Sequence, residues 1–290
     1  MLVDGYGGRA LASLDAGTQQ EEVAVAEGGP GAYVLNETTA EVRQIDSAEL
    51  RLGSPFGLTT LSEGGAIASV GQAGLVVVDP AAGQATVLPT DGEPIGFPVV
   101  AGDATVVGPD GVIWSLAAGD LRRTTSTSAT STSLGVDDGA LSLVGNQPLV
   151  LDRDRARVRL GADGAWQPIP VADENTSELV LQVAGPNAPC GWVGADDRLW
   201  CLSSEGIEHD VTIPGLDIDG ADSLAIAGDA AAVVRRGPSS IVRIDWRTAE
   251  ILADVPTTVP SDASLQVTAT VDLIWVDDAS GNIVWAINPW

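Results

Sequence analysis

Short apolar runs recur along the chain, each followed at once by turn-forming residues. The instances are Glu41-Val42-Arg43-Gln44-Ile45-Asp46, Leu75-Val76-Val77-Val78-Asp79, Val112-Ile113-Trp114-Ser115-Leu116 and Arg157-Val158-Arg159-Leu160. Three more follow: Arg198-Leu199-Trp200-Cys201-Leu202, Ile241-Val242-Arg243-Ile244-Asp245 and Ile283-Val284-Trp285-Ala286-Ile287-Asn288. Runs this short, β-branched and bounded by Gly, Pro, Asp and Asn, read as strands. They end at 46, 79, 116, 160, 202, 245 and 288, in steps of 33, 37, 44, 42, 43 and 43 residues. A unit near 40 residues with room for four strands is the sequence pattern of a β-propeller.

The sixth unit parses fully. Residues 223–227 form an inner strand, 230–235 the second, 241–245 the third and 250–255 the outer one. Turns at Pro238-Ser239-Ser240 and Trp246-Arg247-Thr248-Ala249 separate the last three. The second unit follows suit, with Asp79-Pro80-Ala81-Ala82-Gly83 as the turn before an outer strand at 84–88. Asp and Pro open such turns, and Gly supplies the positive φ that closes them. The last unit has strands at 265–269, 273–276 and 283–287, then runs out of chain. Arg9-Ala10-Leu11-Ala12-Ser13-Leu14-Asp15 has no unit of its own, so it is expected to supply the missing outer strand and remove an open edge. The prediction is one all-β domain over 1–290, a propeller of about seven four-stranded blades closed by the N-terminal strand. Residues 122–133, rich in Ser and Thr, are expected as a loop or a solvated outer strand. Two tandem sandwiches would show a period near 90–100 residues and a central linker. The chain has neither.

Charge narrows the partners. Forty acidic residues face fourteen basic ones, all of them Arg, for a net charge of −26. Such a surface repels nucleic acid and anionic membrane, so neither is an expected partner. Thirty-four Gly and 17 Pro fit a fold with many turns, and 44% apolar residues suffice for a core. No stretch is long and apolar enough to span a membrane as a helix. The end at Asn288-Pro289-Trp290 reads as that of a domain cut from a longer chain.

Two cysteines, Cys190 and Cys201, flank a hairpin with its turn at 194–197. With Ala195 and Asp196 as the loop, the cysteines fall directly opposite, within disulfide range. A disulfide is expected, two buried thiols being the alternative, and it would indicate an oxidising compartment. The spacing fits no zinc site, and the sequence places no His beside them.

Chemistry is otherwise sparse. The one histidine, His209, sits on an alternating strand segment and has no second group with which to build a triad. Hydrolysis of glycosides needs two placed carboxylates, and nothing marks a pair. Ser13-Leu14-Asp15-Ala16-Gly17-Thr18 is only loosely like a sialidase box and does not recur. Asp217-Ile218-Asp219-Gly220-Ala221-Asp222 and Asp277-Asp278-Ala279-Ser280-Gly281-Asn282 cluster oxygen ligands, but neither forms a twelve-residue calcium loop with its closing Glu, and both fit turns. Gly28-Gly29 and Gly64-Gly65 adjoin strands, not the helix a phosphate loop requires. No catalytic residue, metal ligand or cofactor is assigned. Trp114, Trp200 and Trp285 are expected on equivalent third strands, packed between blades, with Trp192 and Trp275 on second strands.

The segment from Trp275 through Asp278, Ser280-Gly281, Trp285 and Asn288-Pro289-Trp290 resembles the end of the N-terminal propeller of very large actinobacterial surface proteins. In these, Ig-like or fibronectin type III domains follow the propeller. The likeness covers about 16 residues. It implies an extracellular domain anchored by a membrane segment outside this chain, and carries over no catalytic residues. The expected function is a monomeric, non-catalytic scaffold or interaction domain at the cell surface, binding a protein or cell-wall polymer. The alternative is a carbohydrate hydrolase or lyase using acidic residues of the propeller channel.

Overall fold

The computed structural model describes residues 2–4, 9–12, 23–28, 31–46, 51–58, 61–62, 66–72, 74–89, 92–100, 102, 104–171, 178–185, 188, 190–218, 223–227, 230–236, 239–256, 265–269, 274–278 and 283–287. Among these there is no helix, only strands and turns, apart from one residue of 3₁₀ conformation. Seven antiparallel sheets follow one another, at residues 23–57, 67–98, 104–133, 139–168, 180–212, 223–256 and 265–287. Within a sheet each strand pairs with the one before it in sequence, apart from Phe56–Gly57. Six sheets have four strand positions. In the first, Arg51–Leu52 and Phe56–Gly57 share the outer position against Glu41–Asp46. The seventh has three strands among the described residues. The chain clusters into two compact units, residues 1–134 and 135–290.

The N-terminal strand has a local partner. Arg9–Ala12 pairs antiparallel with Leu2–Asp4, and among the described residues the expected closure by this strand is not shown. Four residues separate the two strands, so this local hairpin closes a far smaller loop than pairing across the whole chain would.

Two sheets are displaced by one strand from the expected parse. Gly74–Asp79 and Ile113–Ala117 are second strands; the third strands are Gln84–Leu88 and Asp120–Thr124. Third strands then end at 46, 88, 124, 160, 203, 245 and 287. Trp114 thus lies on a second strand, as Trp192 and Trp275 do, while Trp200 and Trp285 lie on third strands. The displaced strands draw the eye because both their faces are covered. Leu75 and Val77 join the core between the first and second sheets, and Val76 and Val78 join that between the second and third. Continuous burial yields a continuous apolar run. Ala129–Ser133 is the outer strand of the third sheet and almost wholly solvated.

One turn recurs. Asn36, Asp79 and Asp245 each accept a hydrogen bond at a side-chain oxygen from the backbone N–H three residues on, at 3.0, 2.8 and 3.2 Å. The residue four positions on is left-handed in every case: Ala40, Gly83 and Ala249 at φ 54°, 64° and 57°. Asp152 and Ala156, at φ 42°, occupy the same places. A short polar side chain that holds its own turn, followed by one left-handed residue, returns the chain into the next strand.

Asp79 is buried and ties this turn to a neighbouring loop. Its carboxylate accepts from the N–H of Ser62 at 2.6 Å and of Ala82 at 2.8 Å. Burial alone would raise its pKa, but these hydrogen bonds to the charged form hold it below the ordinary value. A carboxyl depressed by folding stabilises above its unfolded pKa, about 3.9, and loses that contribution as pH falls through the folded value. Asp79→Asn is therefore expected to lower stability by about 1–2 kcal/mol at pH 6. Denaturant melts of both proteins should converge as pH drops below about 4. A gap that stays constant from pH 6 to pH 3 would contradict this account.

First strands of successive sheets lie against one another within each unit. In the second unit, parallel bridges join Val144 to Gly185 and Gln182 to Leu224. Buried Gln182 locks this inner edge: its side-chain amide donates to the Leu143 carbonyl at 3.2 Å and accepts from the Trp192 N–H at 2.9 Å. Apolar faces pack between the fourth and fifth, fifth and sixth, and sixth and seventh sheets.

Candidate functional site

The fifth sheet brings together most of the chain's scarce chemistry. Its second and third strands, Gly191–Ala195 and Arg198–Ser203, meet with Ala195 opposite Arg198, so the loop is Asp196-Asp197. Asp196 takes φ 51°, a conformation Asp tolerates better than most residues. The expected loop lay one residue earlier. As a result Cys201 faces Trp192, not Cys190. Side chains alternate along a strand, so Cys190 and Trp192 share a face, and the two cysteines still meet diagonally. They form a disulfide with Cα atoms 5.6 Å apart, and both are buried.

The outer strand, Gly206–Thr212, pairs alongside Arg198–Ser203 and sets His209 opposite Cys201. The next pair is Leu202 with Ile207, which leaves Glu208 as the extra residue of a β-bulge. A bulge re-aims side chains that strict alternation would send to opposite faces. Here the ligand-type atoms of Cys201, Glu208 and His209 all lie within 4.8 Å of one another. The expectation that no His accompanies the cysteines is thus overturned by the folding back of a third strand.

Beneath the exposed His209 ring lie two tryptophans. Its plane is within 6° of that of Trp192, at 6.3 Å between centroids, and it tilts against Trp246 at 5.2 Å. The two indoles are 4.9 Å apart at 55°. Trp192 is fully buried and Trp246 nearly so, and neither indole N–H has a hydrogen-bond partner among the described residues. On the strand's other neighbours, Arg198 makes two hydrogen bonds to the Asp210 carboxylate, at 2.7 and 2.6 Å, with its guanidinium over Trp200.

Elsewhere the described residues hold little chemistry. Among the seven first strands (Val23–Gly28, Ile67–Gly71, Ala104–Val107, Gly139–Val144, Val180–Leu181, Ser223–Ala227 and Leu265–Ala269) Glu27 is the sole ionisable residue. Of the oxygen-rich segments, the Asp217 carbonyl accepts from Arg235 Nε at 3.0 Å, and Asp277 and Asp278 belong to the strand Ile274–Asp278, not to a turn. Residues 219–222, 279–282, 13–18, 29 and 64–65 lie outside the described residues, as does Trp290.

No protein-family model matches the chain, and no curated protein sequence matches it. Solved structures do. A catalytically inactive His-to-Ala variant of virginiamycin B lyase from Staphylococcus aureus with quinupristin aligns with a TM-score of 0.64 at 14% identity, over 92% of this chain and 95% of the lyase. The selenomethionine-substituted form of that enzyme gives 0.64 at 15%, over 92% and 93%. A streptogramin B lyase gives 0.61 at 13%, over 89% and 90%. The chain has the β-propeller fold. At these identities the likeness speaks for the fold alone.

The disulfide has a direct check. Intact mass without reductant should be two protons lighter than after reduction. Because the bridge spans a sequence separation of 11, its entropic stabilisation is small, about 2–3 kcal/mol at most. Reduction should lower the unfolding midpoint without unfolding the chain. Recovery of two alkylatable thiols from protein kept under air would refute the pairing.

Proposed function

We propose that this propeller is an extracellular, non-catalytic interaction domain of a membrane-anchored surface protein, and that it binds a protein or a cell-wall polymer. The observation that carries the reading is the chemical poverty of the first strands. They are built of Ala, Val, Leu, Ile, Gly, Ser and Thr with one Gln, and Glu27 alone is ionisable. Acid–base chemistry at their edge would need two placed groups. The disulfide supports an oxidising compartment. The likeness of residues 275–290 to the propellers of large actinobacterial surface proteins supports the same location and the anchor.

A second reading, a lyase, follows from the fold. The solved lyase is inactive with one His replaced by Ala. This chain has one His, exposed on an outermost strand and resting on tryptophans. That position favours a packing role over attack on a substrate bound at the inner edge.

One pair of measurements separates the readings. Epitope-tagged full-length protein on intact cells should be reached by antibody and by added protease. The purified domain should leave quinupristin chromatographically unaltered. A protein shielded until lysis would remove the surface reading, and conversion of quinupristin would replace it with the lyase.

A further inference from the structure

We propose that the fifth sheet carries a latent metal site: once the Cys190–Cys201 bond is reduced, the two thiolates, the His209 imidazole and the Glu208 carboxylate hold one zinc-type divalent cation. Three of these groups already converge, with the ligand atoms of Cys201, Glu208 and His209 within 4.8 Å of one another. The fourth, Cys190 Sγ, is not one of that group but is bonded to Cys201 Sγ, so once the bond is reduced side-chain rotation must part the two sulfurs and bring it in. Two sulfurs, one imidazole nitrogen and one carboxylate oxygen are a donor set that zinc takes tetrahedrally. In such a shell, with bonds of about 2.0–2.3 Å, neighbouring donors lie roughly 3.3–3.8 Å apart. A contraction of about 1 Å therefore suffices for the three groups, which side-chain rotation supplies at an exposed edge.

The local structure points the same way. Without the bulge at Glu208, adjacent residues Glu208 and His209 would face opposite sides of the sheet. With it, both reach the cysteine face. Bulges that re-aim a side chain concentrate beside functional sites. The thiols are buried while Glu208 and His209 are exposed, which gives the ion a way in from solvent. Trp192 lies parallel to the His209 ring and restricts its orientation.

The two states exclude each other. A dithiol reductant passes two electrons and two protons to the Cys190–Cys201 bond and closes to its own disulfide. The cation then displaces the two thiol protons and leaves them in solution. With the disulfide formed, only His209 and Glu208 remain as donors, too few for a stable zinc site. The strand pair is thus cross-linked by sulfur under oxidising conditions and by metal under reducing ones.

Cobalt(II) reports on such a site through its thiolate charge-transfer absorption in the near ultraviolet. The domain is reduced with a phosphine, desalted under nitrogen and titrated with cobalt(II), then with zinc(II) to displace it, with far-ultraviolet circular dichroism recorded throughout. One equivalent of cobalt should bind with a thiolate band in the reduced domain, and none in the oxidised one. His209→Ala should weaken binding at least about tenfold, since even partners outside the metal's own ligands are worth that much. Cys190→Ala, which has no disulfide and needs no reduction, should retain a weaker band that His209→Ala abolishes in the same background. A folded reduced domain without the band, a folded Cys190→Ala variant without it, or binding unchanged by His209→Ala would each overturn the proposal. None of these outcomes bears on the surface reading, which depends on antibody and protease access.

Discussion

Trp192→Ala should cost about 3–5 kcal/mol, the range for removing a fully buried large aromatic side chain. Trp192 sits on the second strand of the fifth sheet with no solvent exposure. Around it are Cys190, Cys201, Ile226, Val242 and Trp246, the core between the fifth and sixth sheets. Its indole N–H has no hydrogen-bond partner among the described residues, so the substitution removes packing and no hydrogen bond of that side chain. The exposed His209 ring would lose the surface it rests on. The loss is read from the shift in urea midpoint at constant slope. Trp166→Ala is the control: Trp166 is only partly buried, under the Arg157 guanidinium, and should cost much less. A Trp192→Ala midpoint within about 1 kcal/mol of wild type would mean that this core is not packed as described.

Asp152→Ala is expected to cost about 3 kcal/mol, for an electrostatic reason. Its carboxylate is wholly buried at the end of the strand Gln147–Asp152. One oxygen accepts from Arg157 Nε at 2.7 Å and from Arg155 Nη1 at 3.0 Å. Arg157 in turn lies over Trp166, 4.2 Å from the ring centroid. Removing the carboxylate leaves a half-buried guanidinium without its counter-charge, which costs more than the pair itself contributes. The figure is at the low end of that range because Arg157 keeps 26% of its side chain in water. Asp152→Asn keeps the shape and removes the charge, so it should lose nearly as much. If Asn restores wild-type stability, the turn and not the ion pair is what Asp152 maintains. Glu41→Ala, which breaks an exposed pair with Arg43, should change stability by less than about 0.5 kcal/mol.

The repeat was legible because every blade must bury two faces of its middle strands, and that demand is written locally as short apolar runs between turns. The same demand misled the parse of the second and third units. Leu75-Val76-Val77-Val78 and Ile113-Trp114 are covered on both sides, so they stood out, while the true third strands, with Gln84 and Arg122-Arg123 among them, alternate and looked like edges. The 33-residue step from 46 to 79 was the trace of that displacement, since the third strands end at 46 and 88. The Asn or Asp that opens four of the turns, followed four residues later by a left-handed Ala or Gly, was also present in the sequence. It was read only at Asp79–Gly83, because the Ala that closes the others does not announce a positive φ as Gly does.

The disulfide shows where local reading ends. Sequence alone placed Cys190 and Cys201 on one hairpin face, since strand alternation survives a change of loop by one residue on each side. Turn geometry then decided that they meet diagonally, with Trp192 opposite Cys201. Nothing local tied His209 to them. Its approach depends on how the outer strand pairs and on where that pairing slips by a residue, at Glu208. Sequence by itself therefore determined the fold class, the blade repeat and the cysteine pair, because each follows from residue type and period. Tertiary structure decided the strand order within two blades and the meeting of Cys201, Glu208, His209, Trp192 and Trp246. These depend on register and inter-sheet packing, which bring together residues that no spacing along the chain relates.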